Sequence, residues 1–488
     1  MNLRQTLLPI PPRRLRWPGF RRLHVGIAIA SLGVAACAVG PDYAKPESAM
    51  PERFQHAALP SPAPEVQLEA WWKGFGDPVL ERIVERALAQ NLDLAASFAR
   101  VAQARAAAQR AVASERPAIA ADAQAARQRQ SLESPLGALA SAHPGYQRDA
   151  SLYDSGIGAS WELDLAGGLR RGAEAFAAEA QAAEAEHAGV RISIAAEAAD
   201  AYFRVRAAQA RLAVAQSQLD TDRELLSLVR MRLSQGMSTA RERAQAEARV
   251  AQVEGTLPAL QAERDTQLNR LDVLMAATPG THAAELATPA ARVVLPALAT
   301  ALTPAELLRR RPDVIAAERR LAASSARIGV ATAEYYPSVS LSALLGFESL
   351  RTATPSSANF QPLAAVGLHW RLFDFGRVDA EVAKAEGAKA EALARYRQSL
   401  LRATEDVENA LIRQGQLDAE RLALLQEVDA DVRARGATQQ AYAGGAVSLL
   451  ELLEQDRQLL AARDRLVRVQ SDSGRAAVAT FRALGGGW

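Results

Sequence analysis

The 488-residue chain is written twice, and that duplication limits its possible folds more than any other feature. Asn91-Leu92-Asp93-Leu94 opens a helical run that ends at Arg116-Pro117, and Arg311-Pro312-Asp313-Val314 opens another that ends at Tyr336-Pro337. Asp93 and Asp313 are 220 positions apart, as are Pro117 and Pro337. Further on, the run from Trp161 to Gly167 matches that from Trp370 to Gly376 at an offset of 209, which also carries Gly236 to Gly445 and Met275 to Leu484. The first copy is therefore eleven residues longer between Pro117 and Trp161, and a length change at one place in registered repeats marks a loop. Each copy reads helix, strand, loop, strand, then two long helices.

The strands announce themselves by period-two alternation. Ile119, Ala121, Ala123 and Ala125 oppose Asp122, Gln124 and Gln128, and Ile157, Ala159, Trp161, Leu163 and Leu165 oppose Ser160, Glu162 and Asp164. In the second copy Val339, Leu341, Ala343 and Leu345 oppose Ser338, Ser340 and Ser342, while Val366, Leu368, Trp370 and Leu372 oppose His369 and Arg371. Such alternation suits a barrel with lipid outside and water inside, and equally the half-buried sheet of a soluble domain. Trp161 and Trp370, one per copy, suit an interfacial girdle. Four strands cannot close, since barrels begin at about eight, so either the strands pack on something else or chains share one barrel. Three chains would give twelve strands.

The helices are unusually long. From about residue 174 to 235 no proline intervenes, and Ala201, Val205, Ala208, Leu212, Ala215, Leu219, Asp222, Leu226, Val229 and Leu233 keep a 4-3 spacing. That heptad seam, with Asp222 filling one slot, predicts left-handed coiled-coil packing. A second helix is expected from Thr239 to about Ala277 after the break at Gly236, and the runs Arg397–Gly444 and Ser448–Leu484 repeat the hairpin.

The first residues read as an address. Residues 1–36 hold six Arg and no acid, and Val25 to Ala36 is an apolar run too short to span a bilayer. Val34-Ala35-Ala36-Cys37 resembles the lipobox of bacterial lipoproteins, which implies cleavage before Cys37 and covalent diacylglycerol and N-acyl chains on it. Cys37 is the only cysteine, so no disulfide forms within the chain. Ala38 is not the Asp that diverts enteric lipoproteins from the outer membrane. The overall charge of +2 hides a net −4 once residues 1–36 are set aside, which argues against nucleic acid as a partner. After Cys37 no stretch of eighteen apolar residues occurs, so any membrane-spanning structure must be β.

No phosphate loop, H-E-x-x-H or C-x-x-C is present, Gly156-Ile157-Gly158-Ala159-Ser160 is not a nucleophile elbow, and six His and five Met are scattered. An enzyme is not expected, nor a cofactor or metal site.

Six segments in order resemble the outer-membrane efflux factors, the TolC-like family, and in particular its lipoprotein branch of RND-type channels. They are Gly40-Pro41-Asp42-Tyr43-Ala44-Lys45-Pro46, Trp71-Trp72 with Phe75-Gly76-Asp77, the run from Ser160 to Leu165, Arg311-Pro312-Asp313-Val314, the run from Ala333 to Pro337, and the run from Leu372 to Gly376. The resemblance implies a mixed α and β membrane protein: a homotrimer with a 12-stranded β-barrel in the outer membrane and an α-helical periplasmic tunnel. Its partners would be outer-membrane lipid, a periplasmic membrane-fusion adaptor and an inner-membrane RND-type pump. The organisation expected is a signal peptide over 1–36, a lipidated extension over 37–80, a first repeat over 81–280 with strands about 118–130 and 154–166, and a second over 281–488 with strands about 338–350 and 362–375. By family position Tyr442, Gly445, Glu451 and Glu454 mark the periplasmic gate. The two acids lie at i and i+3, on one side of a helix, and three copies would form a carboxylate ring that attracts cations and raises its members' pKa values. The first copy has Glu242 and Gln245 there. The function implied is a passive exit duct for drugs or other small toxic compounds. Rivals are a duct for type I protein secretion or metal-ion efflux, and a lipid-anchored periplasmic coiled-coil scaffold without a channel.

Overall fold

The computed structural model describes residues 38–47, 52–56, 68–288, 296, 303–350 and 354–488. Cys37 and the proposed signal peptide lie outside them. The described residues divide into two compact units: one holds those up to Tyr43 and those within Gln109–Ala175 and Ser325–Glu386, the other those within Ala44–Ala108, Phe176–Ser324 and Gly387–Trp488.

The first unit is built on four antiparallel strands in the order β1 (Ala118–Arg129), β2 (Asp149–Leu163), β3 (Ser338–Ser349) and β4 (Phe360–His369). Pro117 and Pro337, which lack an N–H, set where β1 and β3 begin. Ala118 pairs with Ser160, Leu163 with Val339, and Ser338 with His369. β4 therefore stops at His369 instead of running to 375: the next position, Trp370, would face Pro337. β2 starts earlier than 154, at Asp149, because the long β1 carries pairing out to Arg129. The apolar stripe lies open, with Ile119 73% and Val366 74% exposed, far more than one chain could leave in water for a whole sheet face. The eleven extra residues of the first copy fall in the β1–β2 loop, which carries a short helix, α3 (Pro135–Ser141), capped by Ser134 through Gly137 N (3.1 Å).

The helices are α1 (Pro78–Gln90), α2 (Leu92–Ala113), α4 (Gly168–Ser234), α5 (Ala240–Glu254), α6 (Leu257–Leu274), α7 (Pro304–Arg310), α8 (Pro312–Ala333), α9 (Arg377–Ala443) and α10 (Leu449–Ala483). α4 and α9 have 67 residues each, starting earlier than the sequence suggested. Along the α4 seam Ala201, Val205, Ala208, Ala215, Leu219, Asp222, Leu226 and Val229 are buried, and Leu212 and Leu233 half-buried. The expected single helix from Thr239 to Ala277 is instead two, α5 and α6, broken at Gly255-Thr256, with Pro258 in the first turn of the second. A proline is favourable there and would clash in a helix interior. Its counterpart α10 runs unbroken for 35 residues.

The second unit's core gathers Trp71, Phe75, Leu80, Ile83, Tyr202, Phe203, Leu271, Met275 and Phe481. Trp71 stacks on Phe481 at 5.5 Å. The buried Tyr202 hydroxyl donates to Asp77, whose other oxygen caps α1 through Val79 N at 2.9 Å; burial, then this bond, pushes the phenol pKa up. The repeats also dock alike. Asn91 donates to the Leu274 carbonyl (3.0 Å), and Arg311, 220 places on, donates to that of Ala483 (3.2 Å), 209 places on. Each side chain thereby satisfies a carbonyl that the end of a helix leaves free.

Candidate functional site

The four residues expected at the gate lie in the α9–α10 turn and the first two turns of α10. Tyr442 is buried with Leu225, Val229, Leu449, Leu452 and Leu453, and the Arg232 guanidinium lies over its ring at 4.8 Å. Gly445 holds φ +76, and the chain reverses through Ala446 N to Ala441 O (2.9 Å) and Gly445 N to Tyr442 O (3.1 Å). The α4–α5 turn repeats this with Gly236 at φ +74 and Met237 N bonded to Arg232 O (2.8 Å). A left-handed residue is the usual close of such a helix end and favours glycine.

Glu451 and Glu454 are both exposed, but neither carboxylate is idle within the chain. Glu451 closes a capping box: Ser448 Oγ accepts from Glu451 N (3.3 Å), and the Glu451 carboxylate accepts from Ser448 N (3.4 Å) and Oγ (3.1 Å). Thr239 and Glu242 make the same box at α5. Glu454 accepts from Arg457 Nε (2.9 Å) and Gln458 Nε2 (3.2 Å). Arg457, first of all, holds the Glu454 carboxyl below its ordinary value, opposite in direction to what repulsion within an acid ring would do.

Sequence reasoning missed a buried ionic layer to which α4, α5, α9 and α10 each give one residue. Asp222 lies 3.3 Å from Arg249, and Arg435 lies 2.9 Å from Asp456; both carboxylates are almost fully buried. Burial pushes the Asp222 pKa up, against the Gln218 amide and Arg249, and the Asp456 charge pushes the same way. The available signal was Asp222 itself, an acid in an apolar heptad slot.

In the sheet unit, Trp161 Nε1 donates to Glu115 O (2.9 Å) and Trp370 Nε1 to Tyr335 O (3.0 Å), both rings staying exposed. Each indole so ties the end of a strand pair to the turn leading into β1 or β3. Asp164 caps α4 through Leu169 N (3.1 Å) and Arg170 N (3.0 Å); Asp374 caps α9 through Val378 N (2.9 Å) from a place one residue out of step. Against this end of the sheet lies the segment that follows Cys37. Val39 N donates to Ala166 O (3.0 Å), and the buried Arg171 reaches Val39 O (3.2 Å), Gly40 O (3.4 Å) and Asp42 (2.6 Å). The fit is close: a Cβ on Gly40 would sit 2.4 Å from Gly329 Cα, and one on Gly167 2.6 Å from Ala38 Cα. The described residues hold no cluster of three or more His, Cys, Asp or Glu suited to a metal, and no helix long and apolar enough to cross a membrane.

Comparison with known proteins accords with this arrangement. The sequence matches the outer membrane efflux protein family over residues 83–277 and 303–486. It is 34% identical to the pyoverdine export outer membrane protein OpmQ of Pseudomonas putida, across 95% of this chain and 97% of that one. Identity to the toluene efflux pump outer membrane protein TtgF of the same species is 30%, across 95% and 97%. Among solved structures, the outer-membrane channel OprN superposes with a TM-score of 0.82 at 35% identity, covering 93% of this chain and all of that one. Proteins of this kind act as trimers with an adaptor and an inner-membrane RND pump. The chain belongs to the outer membrane efflux protein family, and is the outer-membrane channel of an efflux system that reaches into the periplasm.

Proposed function

We propose that the chain is a passive, lipid-anchored exit duct that narrows at the α9–α10 turn and performs no chemistry of its own. The gate reading is supported by where these residues lie: Tyr442 and Gly445 stand at the reversal after a 67-residue helix, and Glu451 and Glu454 are exposed in the first two turns of the 35-residue helix that follows. Three copies would set six carboxylates around a shared axis, and each Arg457 tempers that charge. Acylation of Cys37 is supported by the strap after it: Ala38 packs beside Gly167, at the end of the sheet that carries Trp161 and Trp370, where a lipid headgroup region suits exposed indoles. The cargo is small and varied; pyoverdine and toluene in the names of its relatives share no chemistry that one selective duct would recognise.

Single-channel conductance in planar bilayers tests the gate. The variant Glu451→Gln/Glu454→Gln keeps the capping box, because Gln can serve at its third position. Cation selectivity should fall in this variant, and conductance should rise in Glu451→Ala/Glu454→Ala. Currents and selectivity equal to wild type in both would remove these residues from the gate. Mass spectrometry of the mature protein, against Cys37→Ala, reads the acyl chains directly.

A further inference from the structure

The duplication supplies an internal control for sites in the second unit, and one cleft there departs from its own copy in a single direction. It holds about 520 Å³ where the end of α10 meets the start of α8, between α4 and α9. Arg311 fixes that junction by donating to Ala483 O (3.2 Å) and Ala403 O (3.3 Å). Gly189 of α4 forms the opposite wall, where a Cβ would lie 3.7 Å from the Pro312 ring. We infer that this cleft binds a small anion through a phosphate or carboxylate group, held by Arg413 and Arg482 with the Asn409 amide beside them. The inference concerns the helix junction and is independent of the gate.

Places 209 apart compare the two copies of α4 with α9, and of α6 with α10. In the first copy Arg204 pairs with Asp200 (2.8 Å), and Arg270 with Glu197. In the second, Arg413 keeps the place of Arg204, but Asn409 stands for Asp200, Ala479 for Arg270 and Arg482 for Val273. One acid is lost, a long side chain that would fill the space is lost, and one base is gained. At the offset of 220, Arg311 stands for Asn91 and Asp313 for Asp93. With Asp406 in the place of Glu197, the seven places so compared change from a net −1 in the first copy to +1 in the second.

The acids nearby are already engaged. Arg311 takes both Asp313 (2.7 Å) and Asp406 (2.9 Å). Glu408, the next acid along α9, accepts from Gln55 N (2.7 Å) and His56 N (3.2 Å). The side chains of Arg413 and Arg482 line the cleft with no hydrogen-bond or ion-pair partner among the described residues, and both reach solvent. A cation in the last turn of a helix is favourable in itself. The helix end does not require one, however: α6 closes the same way, with Ala276 at φ 56 where α10 is followed by Gly485 at φ +71, and carries Val273 in the place of Arg482. A guanidinium fork matches two oxygens of a phosphate or carboxylate, and a neutral amide donates to either without repelling it. The volume lies in the range of small-molecule sites. An anion seated there would tie α9 to the last turn of α10, at the break between α10 and α8.

Calorimetric titration of the intact full-length protein reads the site, with inorganic phosphate and with succinate as separate probes in buffer free of other polyvalent anions. Saturable binding at about one site per chain is expected. It should weaken by roughly tenfold or more in Arg413→Gln and in Arg482→Gln, each of which removes a charge-assisted contact. Asn409→Asp gives the second copy the acid of the first; with helix content unchanged by circular dichroism, it should weaken binding to a similar degree. Arg110→Gln, at an exposed position of α2 outside the cleft, should leave binding as in wild type. Tighter binding of phosphate than of succinate assigns a phosphate-bearing ligand, and the reverse assigns a carboxylate. No binding by folded wild type, equal loss in Arg110→Gln, or undiminished binding in Asn409→Asp overturns the inference.

Discussion

Gly40→Ala is the sharpest test of how the strap after Cys37 is held. Gly40 lies at φ +90, and an added Cβ would meet Gly329 Cα at 2.4 Å and Gly329 N at 2.9 Å. Both obstacles are backbone, so no side-chain rotation relieves them. A non-glycine residue in that conformation costs about 1–3 kcal/mol, and forcing a methyl group into a closed contact costs about 1–3 kcal/mol more. Together they weaken docking by about 2–6 kcal/mol, and each 1.36 kcal/mol is a factor of ten. The reporter is Val39 N–H, bonded to Ala166 O at 3.0 Å. Its hydrogen exchange should quicken by roughly 30-fold or more, up to the limit set by full release of the strap. Gly145→Ala separates the two causes: Gly145 has φ +86 but open space around it, so only the strain applies, read at Tyr146 N–H, which bonds to His143 O (3.3 Å). Unchanged Val39 exchange in folded Gly40→Ala would refute the close approach and the docked strap.

The ionic layer and the capping boxes give further expectations. Asp222→Ala strands Arg249 in a buried site and should cost about 3–5 kcal/mol of unfolding stability, whereas Asp222→Leu/Arg249→Met should be neutral or stabilising; equal loss in both, by denaturant titration, would contradict the assignment. Because burial raises the Asp222 pKa above its unfolded value, the folded state binds more protons between the two values, and this group's contribution to stability falls as pH rises through that window. Asp222→Asn should abolish that component of the slope of melting temperature against pH; an unaltered slope would exclude it. Ser448→Ala and Thr239→Ala should each cost about 1 kcal/mol at their helix starts, seen as faster exchange of Glu451 N–H and Glu242 N–H.

Much of this architecture is legible because the duplication states each element twice, and the strands show in alternation that needs no tertiary knowledge. What stays hidden depends on partners distant in sequence. The end of β4 at His369 follows from Pro337 across the sheet, not from the apolar alternation that continues to Leu372. Pro258 is compatible both with a helix start and with a kink; Gly255-Thr256 just before it was the signal that two helices meet there. The i, i+3 spacing of Glu451 and Glu454 suggested a carboxylate ring that raises its members' pKa values, and Ser448 and Arg457, equally close in sequence, engage both carboxylates within the chain. Arg249, Arg435 and Asp456 look like surface charges on helices of mixed composition, and only the packing of four helices buries or half-buries them.

The β1–β2 loop is a deletion experiment already performed by the chain on itself. Its second-copy counterpart lacks eleven residues, yet β3 and β4 pair in the same relation as β1 and β2. Strand pairing does not sense the length of this connection, which leaves the sheet at the end opposite the long helices. Residues 131–147 are accordingly a grafting site. A peptide inserted there would be carried three times per channel, without a change in the strand pairing beside it.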